Sequence, residues 1–343
     1  MNKYEKPGEF YDGLRLHQNE NTGGCSPAVL AALAGLTAEQ LAYYPPYNAA
    51  TEAVGRYLDV APARLSLVNG LDEGIMALAV GYLRPRGDGV IPEAIIPEPA
   101  FEIFAFDTEI VGGRPVRIAP NADFSLPLDR ILAAITPSTR VVFLTNPNNP
   151  TGVSMPLSAI RQVAAALPAG AVVFVDEAYA EFSGRTFLPE LSSHPNVIVG
   201  RTFSKAFGLA GIRIGAIAGD PETLEPLRLA IPVYSVNIAA VVAVQAAIAD
   251  TAYVRGYLQQ VEASKTLLYG ACDRLSVGYT PSDANFVLVS VGDRVPAVLA
   301  AAQRHGIYLR DRSKEPGCAG AIRVSAGVVE HTRRCIAALE EAL

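Results

Sequence analysis

The chain has 343 residues, 50% of them hydrophobic and 18% charged, with 28 Lys and Arg against 34 Asp and Glu for a formal net charge of −6. At about 150 residues per domain, that length predicts two domains with a substantial core, and the composition excludes a disordered or collagen-like chain. Without an excess of basic residues to grip phosphates, no nucleic-acid partner is expected.

The first 24 residues are polar and Gly-rich and read as an N-terminal arm. Their opening, Met1 to Gly8, has no apolar segment of the kind a secretory signal needs. Residues 25–236 read as a large α/β domain. Apolar, β-branched runs at Arg64–Val68, Ala94–Pro97, Arg114–Ile118, Val141–Thr145, Val172–Val175, Val197–Thr202 and Ile214–Ala218 alternate with helix-length segments such as Gly74–Leu83 and Leu157–Leu167. Two-sided apolar strands separated by helices predict a mainly parallel sheet covered on both faces, a three-layer αβα domain. From Asn237 the texture changes, and residues 237–343 read as a smaller α+β domain. A long Ala/Val-rich helix runs towards Leu275, strands follow at Phe286–Val289 and Ala321–Ser325, and a helix from Glu330 closes the chain.

The most apolar stretch, Ile238–Ala249, is too short to span a bilayer, so no membrane association is expected. Cys25, Cys272, Cys318 and Cys335 are scattered, which suits a reducing compartment and predicts neither disulfides nor a zinc knuckle. His331 and Cys335 share a metal-like spacing with no third ligand near them, so no metal is expected. A cytoplasmic protein is the expectation.

In open parallel sheets ligands bind beyond the carboxyl ends of the strands. Three successive strand ends carry reactive groups here. They are Asn146-Pro147-Asn148-Asn149-Pro150-Thr151-Gly152, then Asp176-Glu177-Ala178-Tyr179, then Phe203-Ser204-Lys205, with Arg213 downstream. Each lies about one strand–helix–strand unit from the next, so an amide, a carboxylate with a phenol, and an amine would converge on one crevice. Pyridoxal phosphate needs such a set: a lysine for the Schiff base, an acid at the pyridinium nitrogen, and anion sites for its phosphate. Lys205 is the candidate amine and Asp176 the candidate acid. Asn149 and Tyr179 can hydrogen-bond the ring's phenolic oxygen, and Thr202, Ser204 and Arg213 can clamp the phosphate. The helix opening after Asn69-Gly70-Leu71-Asp72-Glu73-Gly74 adds unpaired N–H groups. Singly, each feature has a duller reading: Asp176 as a helix cap, Asn146–Gly152 as a turn, Lys205 as a solvated loop lysine.

Asn149-Pro150-Thr151-Gly152, Asp176-Glu177-Ala178-Tyr179 and Ser204-Lys205 with Arg213 resemble the signature of the fold-type I, class I/II aminotransferases. The closer resemblance is to histidinol-phosphate aminotransferases. It runs from Leu16-His17-Gln18-Asn19-Glu20-Asn21 through Tyr44-Pro45 and the segment Thr202–Gly211 to Leu309-Arg310-Asp311-Arg312-Ser313-Lys314-Glu315-Pro316-Gly317 and Ile322-Arg323-Val324-Ser325. It implies Lys205 as Schiff-base lysine and proton shuttle, Asp176 at the pyridine nitrogen, and Asn149 and Tyr179 at the phenolic oxygen. The cofactor phosphate would be held by N–H groups near Leu71 and Asp72 together with Thr202, Ser204 and Arg213. Phe101 takes the place of the ring-stacking tyrosine, keeping the π-face and losing a hydroxyl. Leu71 replaces a small residue and Thr22 a proline.

The resemblance further implies a homodimer with shared active sites, in which Tyr44 reaches the cofactor phosphate of the neighbouring subunit. It implies a small-molecule amino donor, L-histidinol phosphate, and a 2-oxo acid acceptor, 2-oxoglutarate. Arg323 and Arg310 would bind the distal anion, with Asn21 and Tyr44 adding polar contacts. Transamination of an aromatic amino acid, or decarboxylation of a phosphorylated amino acid, is the alternative. A dinucleotide-binding oxidoreductase does not fit, because Asn69–Gly74 lacks the first glycine of G-x-G-x-x-G and carries acids where a pyrophosphate would lie.

Overall fold

The computed structural model describes residues 12–87 and 89–343, so the octapeptide Met1–Gly8 and the start of the expected arm lie outside the described residues. In chain order the strands are β1 (Leu14–Arg15), β2 (Leu65–Val68), β3 (Glu93–Pro97), β4 (Arg114–Ile118), β5 (Thr139–Thr145), β6 (Val172–Asp176) and β7 (Val197–Thr202). They continue with β8 (Gly215–Ala218), β9 (Gly278–Thr280), β10 (Phe286–Ser290), β11 (Ile307–Tyr308), β12 (Arg310–Asp311) and β13 (Ala321–Ser325).

Seven strands form the large sheet in the order β2-β8-β7-β6-β5-β3-β4. Strands β3 to β7 pair in parallel, whereas β8 runs antiparallel to both its neighbours. Every residue of β6 and β7 is buried, as the near-continuous apolar runs predict for strands covered on two faces. Alternate residues serve opposite cores. Val142, Leu144, Val173 and Val175 pack with helices Leu157–Ala166 and Ile238–Ala249, while Val141, Phe143, Val172 and Phe174 pack with Leu71–Tyr82. That division is the three-layer arrangement.

The smaller sheet has the order β12-β13-β10-β9 and is antiparallel throughout. Its core is separate, built on Val287, Val289, Ile322 and Val324 with helices from Thr251–Arg274 and Val329–Ala342. β1 pairs in parallel with β11, and Leu16 is buried in the small core, so the arm is docked across the small domain from residue 14 onward.

The long helix expected from Asn237 towards Leu275 is two helices, Ile238–Ala249 and Thr251–Arg274, bent by 76°. Asp250 makes the break. Its ψ of 65° leaves the helical region, its N–H still closes the first helix on Ala246, and its carboxylate caps the second by accepting from Tyr253 N at 3.1 Å. The first of the two helices packs in the large core, so the change of texture at Asn237 precedes the change of packing. Among the described residues, no single helix is long and apolar enough to cross a membrane, although this bent pair together has the length and composition. The first half buries residues in the large core and the second in the small one.

Candidate active site

The carboxyl ends of β5, β6 and β7 are adjacent, and backbone bonds extend the ladder past them: Asn146 N donates to Asp176 O and Glu177 N to Gly200 O. A cleft of about 460 Å³ opens there, walled on one side by the large domain and on the other by β12 and β13.

Asp176 ends β6; the residue is 5% exposed, and its carboxyl group accepts from Ala178 N at 2.9 Å. Burial pushes it up to about 7, and the charge of Lys205 pulls the other way. Lys205 sits in the turn after β7, which is rigid because Phe203 and Phe207 are anchored in the core and Leu209 N donates to Phe203 O at 3.1 Å. Its Nζ donates to Gln18 O at 3.0 Å. Burial first, and then the nearby Arg323 cation, pull the amine down to about 8. Tyr179 is buried, its Oη accepting from Asn19 Nδ2 at 2.9 Å and its ring edge-on to Phe286.

An anion cradle lies at the start of helix Leu71–Tyr82. Its N-cap is Gly70, which has no side chain to satisfy the first N–H groups and adopts φ +74°. The Arg213 guanidinium packs directly over it: a Cβ at Gly70 would stand 2.2 Å from Nη2. Arg213, itself at φ +61°, donates to Asp72 at 2.9 Å. Thr202 Oγ1 and Ser204 Oγ, both buried and 3.0 Å apart, complete the set. Free helix N–H groups, two hydroxyls and a guanidinium suit a phosphate. An amine and a carboxyl group beside them suit the rest of pyridoxal phosphate.

The opposite wall is cationic. Arg323 is 3% exposed, with Nη1 donating to Asn149 Oδ1 at 2.5 Å, Nη2 to His17 O at 2.6 Å, and Nε buried without a partner. Burial, then Arg312 and Arg310, pull it down to about 9. Arg310 faces it directly across the β12–β13 pair, an unfavourable like-charge register unless an anion lies between. His17 is pulled down to about 4 by burial and by Arg15, Arg310 and Arg323, so its imidazole is neutral at physiological pH.

The cleft thus brings together Leu71, Asp72, Phe101, Asn149, Asp176, Tyr179, Thr202, Ser204, Lys205, Arg213, Arg310 and Arg323. Two expected residues are elsewhere. Asn21 spends its side chain on Ala206 O and Gly23 N, tying the arm to the Lys205 turn, and it does not line the cleft. Tyr44 is 75% exposed and stacked on Tyr234 at 4.1 Å, outside the cleft of its own chain. Sequence reasoning missed Asn19 and Arg312. Asn19 falls within the motif Leu16–Asn21 but needs a left-handed φ of 56° to reach Tyr179, and Arg312 reads in the sequence as half of a charged loop. Among the described residues no group of three or more His, Cys, Asp or Glu could hold a metal ion, and Cys335 is buried in the small core.

This fold and site define an amino-group-handling enzyme class, and the chain belongs to the class I and II aminotransferases: residues 11–339 match that family. It is similar to the histidinol-phosphate aminotransferase of Symbiobacterium thermophilum, 36% identical over 338 residues, 97% of this chain and 91% of that one. It is also similar to histidinol-phosphate aminotransferase 2 of Ralstonia nicotianae, 36% identical over 96% of this chain and 88% of that one. Among solved structures, the histidinol-phosphate aminotransferase of Sinorhizobium meliloti in complex with pyridoxal-5′-phosphate superimposes with a TM-score of 0.87 at 27% identity, covering 96% of this chain and 90% of that one.

Proposed function

We propose that the chain is a pyridoxal 5′-phosphate-dependent transaminase of L-histidinol phosphate, passing the amino group to 2-oxoglutarate to give imidazole-acetol phosphate and L-glutamate in histidine biosynthesis. The observation that carries this reading is the single cleft in which Lys205 and Asp176 stand between a phosphate cradle and an arginine wall. Bound there, pyridoxal phosphate supplies an electron-accepting ring.

Each residue then has a task. Arg213, Thr202, Ser204 and the N–H groups of Leu71 and Asp72 hold the cofactor phosphate. Asp176, buried in the cleft, would pair with the ring nitrogen and keep the proton on that atom. Asn149 and Tyr179 hydrogen-bond the phenolic oxygen, and Phe101 covers the ring. Lys205 binds the cofactor and moves the proton at the donor carbon. An amine pulled down to about 8 is partly neutral near physiological pH and so can serve as a base. Arg310 and Arg323 receive the substrate's distal anion, phosphate or carboxylate, with the same planar geometry.

The active unit is a homodimer. Leu41, Tyr43 and Tyr44 are exposed together with Leu229, Val233 and Tyr234, and the Tyr44–Tyr234 stack joins the two apolar segments into one surface. Tyr44 would cross that surface to the partner's cofactor. Four free cysteines agree with a cytoplasmic location.

Absorbance half-reactions of the purified enzyme with histidinol phosphate, phenylalanine, threonine phosphate and glutamate test this reading, with keto-acid formation assayed against carbon dioxide release. Histidinol phosphate and glutamate should react best, and borohydride should fix the cofactor to Lys205. Preference for phenylalanine, or carbon dioxide as product, would overturn the substrate or the reaction respectively.

A further inference from the structure

Arg312 belongs to the same wall as Arg310 and Arg323 but is wired differently. Along β12 and its continuation, side chains alternate. Arg310 and Arg312 line the cleft, whereas Asp311 between them is exposed and accepts from Ser313 N at 2.8 Å. Arg312 N donates to Ala321 O at 3.0 Å, so the residue is held in the ladder beside β13. Its residue exposure is only 9%.

The guanidinium divides into two edges. Nη1 is occupied by the half-buried Glu315 and stands 3.5 Å from Glu102, the residue after Phe101. Nε is buried without a partner, and Nη2 makes no hydrogen bond among the described residues. A buried guanidinium with one edge clamped by a carboxylate and the other undirected is preorganised for an acceptor that approaches from the cleft. The Arg312 charge is also the largest charged influence on Arg323, which places the two cations close together.

We infer that Arg312 is a specificity-determining residue: its free edge takes an oxygen of the substrate's phosphate monoester, and Glu315 holds the other edge so that the fork cannot swing away. This rests on the proposed phosphate-bearing donor. A dianionic phosphate has oxygens enough for three guanidinium groups, whereas a planar carboxylate is saturated by Arg310 and Arg323. Arg312 therefore separates the two substrates that share the cleft.

The test uses the holoenzyme and two variants. Arg312→Gln keeps a polar side chain beside Glu315, and Arg312→Lys keeps the charge without a second edge. For both, kcat/KM in the histidinol-phosphate half-reaction should fall on the order of 10- to 100-fold, while the glutamate half-reaction stays within about threefold. Inorganic phosphate, competing against glutamate, should inhibit both variants less, by a similar factor. Equal losses on both substrates would make Arg312 a structural residue and overturn the inference. So would unchanged histidinol-phosphate kinetics with unchanged phosphate inhibition. If the wild type ignores histidinol phosphate, the substrate reading fails by itself, and phosphate inhibition still decides whether Arg312 reads a phosphate.

Discussion

Replacing Asp176 with Asn probes both the chemistry and its cost. Burial raises this carboxyl group from its ordinary 3.8 to about 7 in the protein without cofactor. Between those values the folded chain binds a proton that the unfolded chain has already lost, so stability falls as pH rises through that window and the full penalty is present above about 7. At ~1.4 kcal/mol per pH unit the penalty is on the order of 4 kcal/mol, with the attraction of Lys205 already included in the shift. Asn can still accept from Ala178 N and carries no charge. Cofactor-free Asp176→Asn should therefore be more stable than wild type at pH 8, by about 1–4 kcal/mol in urea unfolding, and little different below pH 4, where the wild-type carboxyl is protonated in both states. Cofactor should restore stability to wild type far more than to the variant, because only the carboxylate gains a cationic partner. Turnover of the variant should drop at least about 100-fold, with a much smaller change in cofactor affinity. Identical pH profiles of stability, or near wild-type kcat, would refute the reasoning.

Gly70→Ala would place a Cβ against the Arg213 guanidinium at a positive φ, so cofactor retention measured by dialysis should weaken by at least about tenfold and stability fall by about 1–3 kcal/mol. Retention unchanged would mean that Arg213 has no part in the cradle. Reaction of cofactor-free protein with pyridoxal phosphate needs a neutral amine, so its rate should rise with a midpoint near 8 rather than at the ordinary 10.5 of lysine; a midpoint near 10.5 would contradict the Lys205 environment. Arg201→Met would strand the buried carboxylates of Glu177 and Glu181, costing about 3–5 kcal/mol in urea unfolding. A cost under about 1 kcal/mol would show those carboxylates to be satisfied without it.

The strands of the large sheet were legible because burial on two faces demands unbroken apolar, β-branched runs, and all seven expected strands are present within a residue or two of their observed ends. The direction of β8 was not legible. Its four residues are buried as fully as those of the parallel strands, and only pairing partners decide which way it runs. The break at Asp250 escaped because helix-compatible residues continue on both sides with no Pro or Gly between them, while one carboxylate caps the second helix. Helix Leu71–Tyr82 begins three positions before the expected Gly74, at the residue after a glycine whose φ the sequence cannot display. In the site, Lys205, Asp176 and Arg213 were legible as chemistry at strand ends. The places of Asn19 and Arg312 in the cleft were not, because they depend on a local φ and on which edge of a guanidinium is already taken.

The cleft joins two cationic groups of residues of different origin. One is built wholly from the large domain, by Gly70, Arg213 and the turn after β7; the other from β12 and β13 of the smaller sheet. Lys205 feels both, since Arg323 on one side lowers its proton affinity while Asp72 and Asp176 on the other raise it. The amine is therefore tuned by the presence of the small-domain wall and not by its own turn alone. An anion bound between Arg310 and Arg323 would screen the cation that depresses Lys205, so occupancy of the substrate site should itself raise the basicity of the lysine. Binding and proton transfer are coupled by that one charge, and the coupling exists only where the two sheets meet.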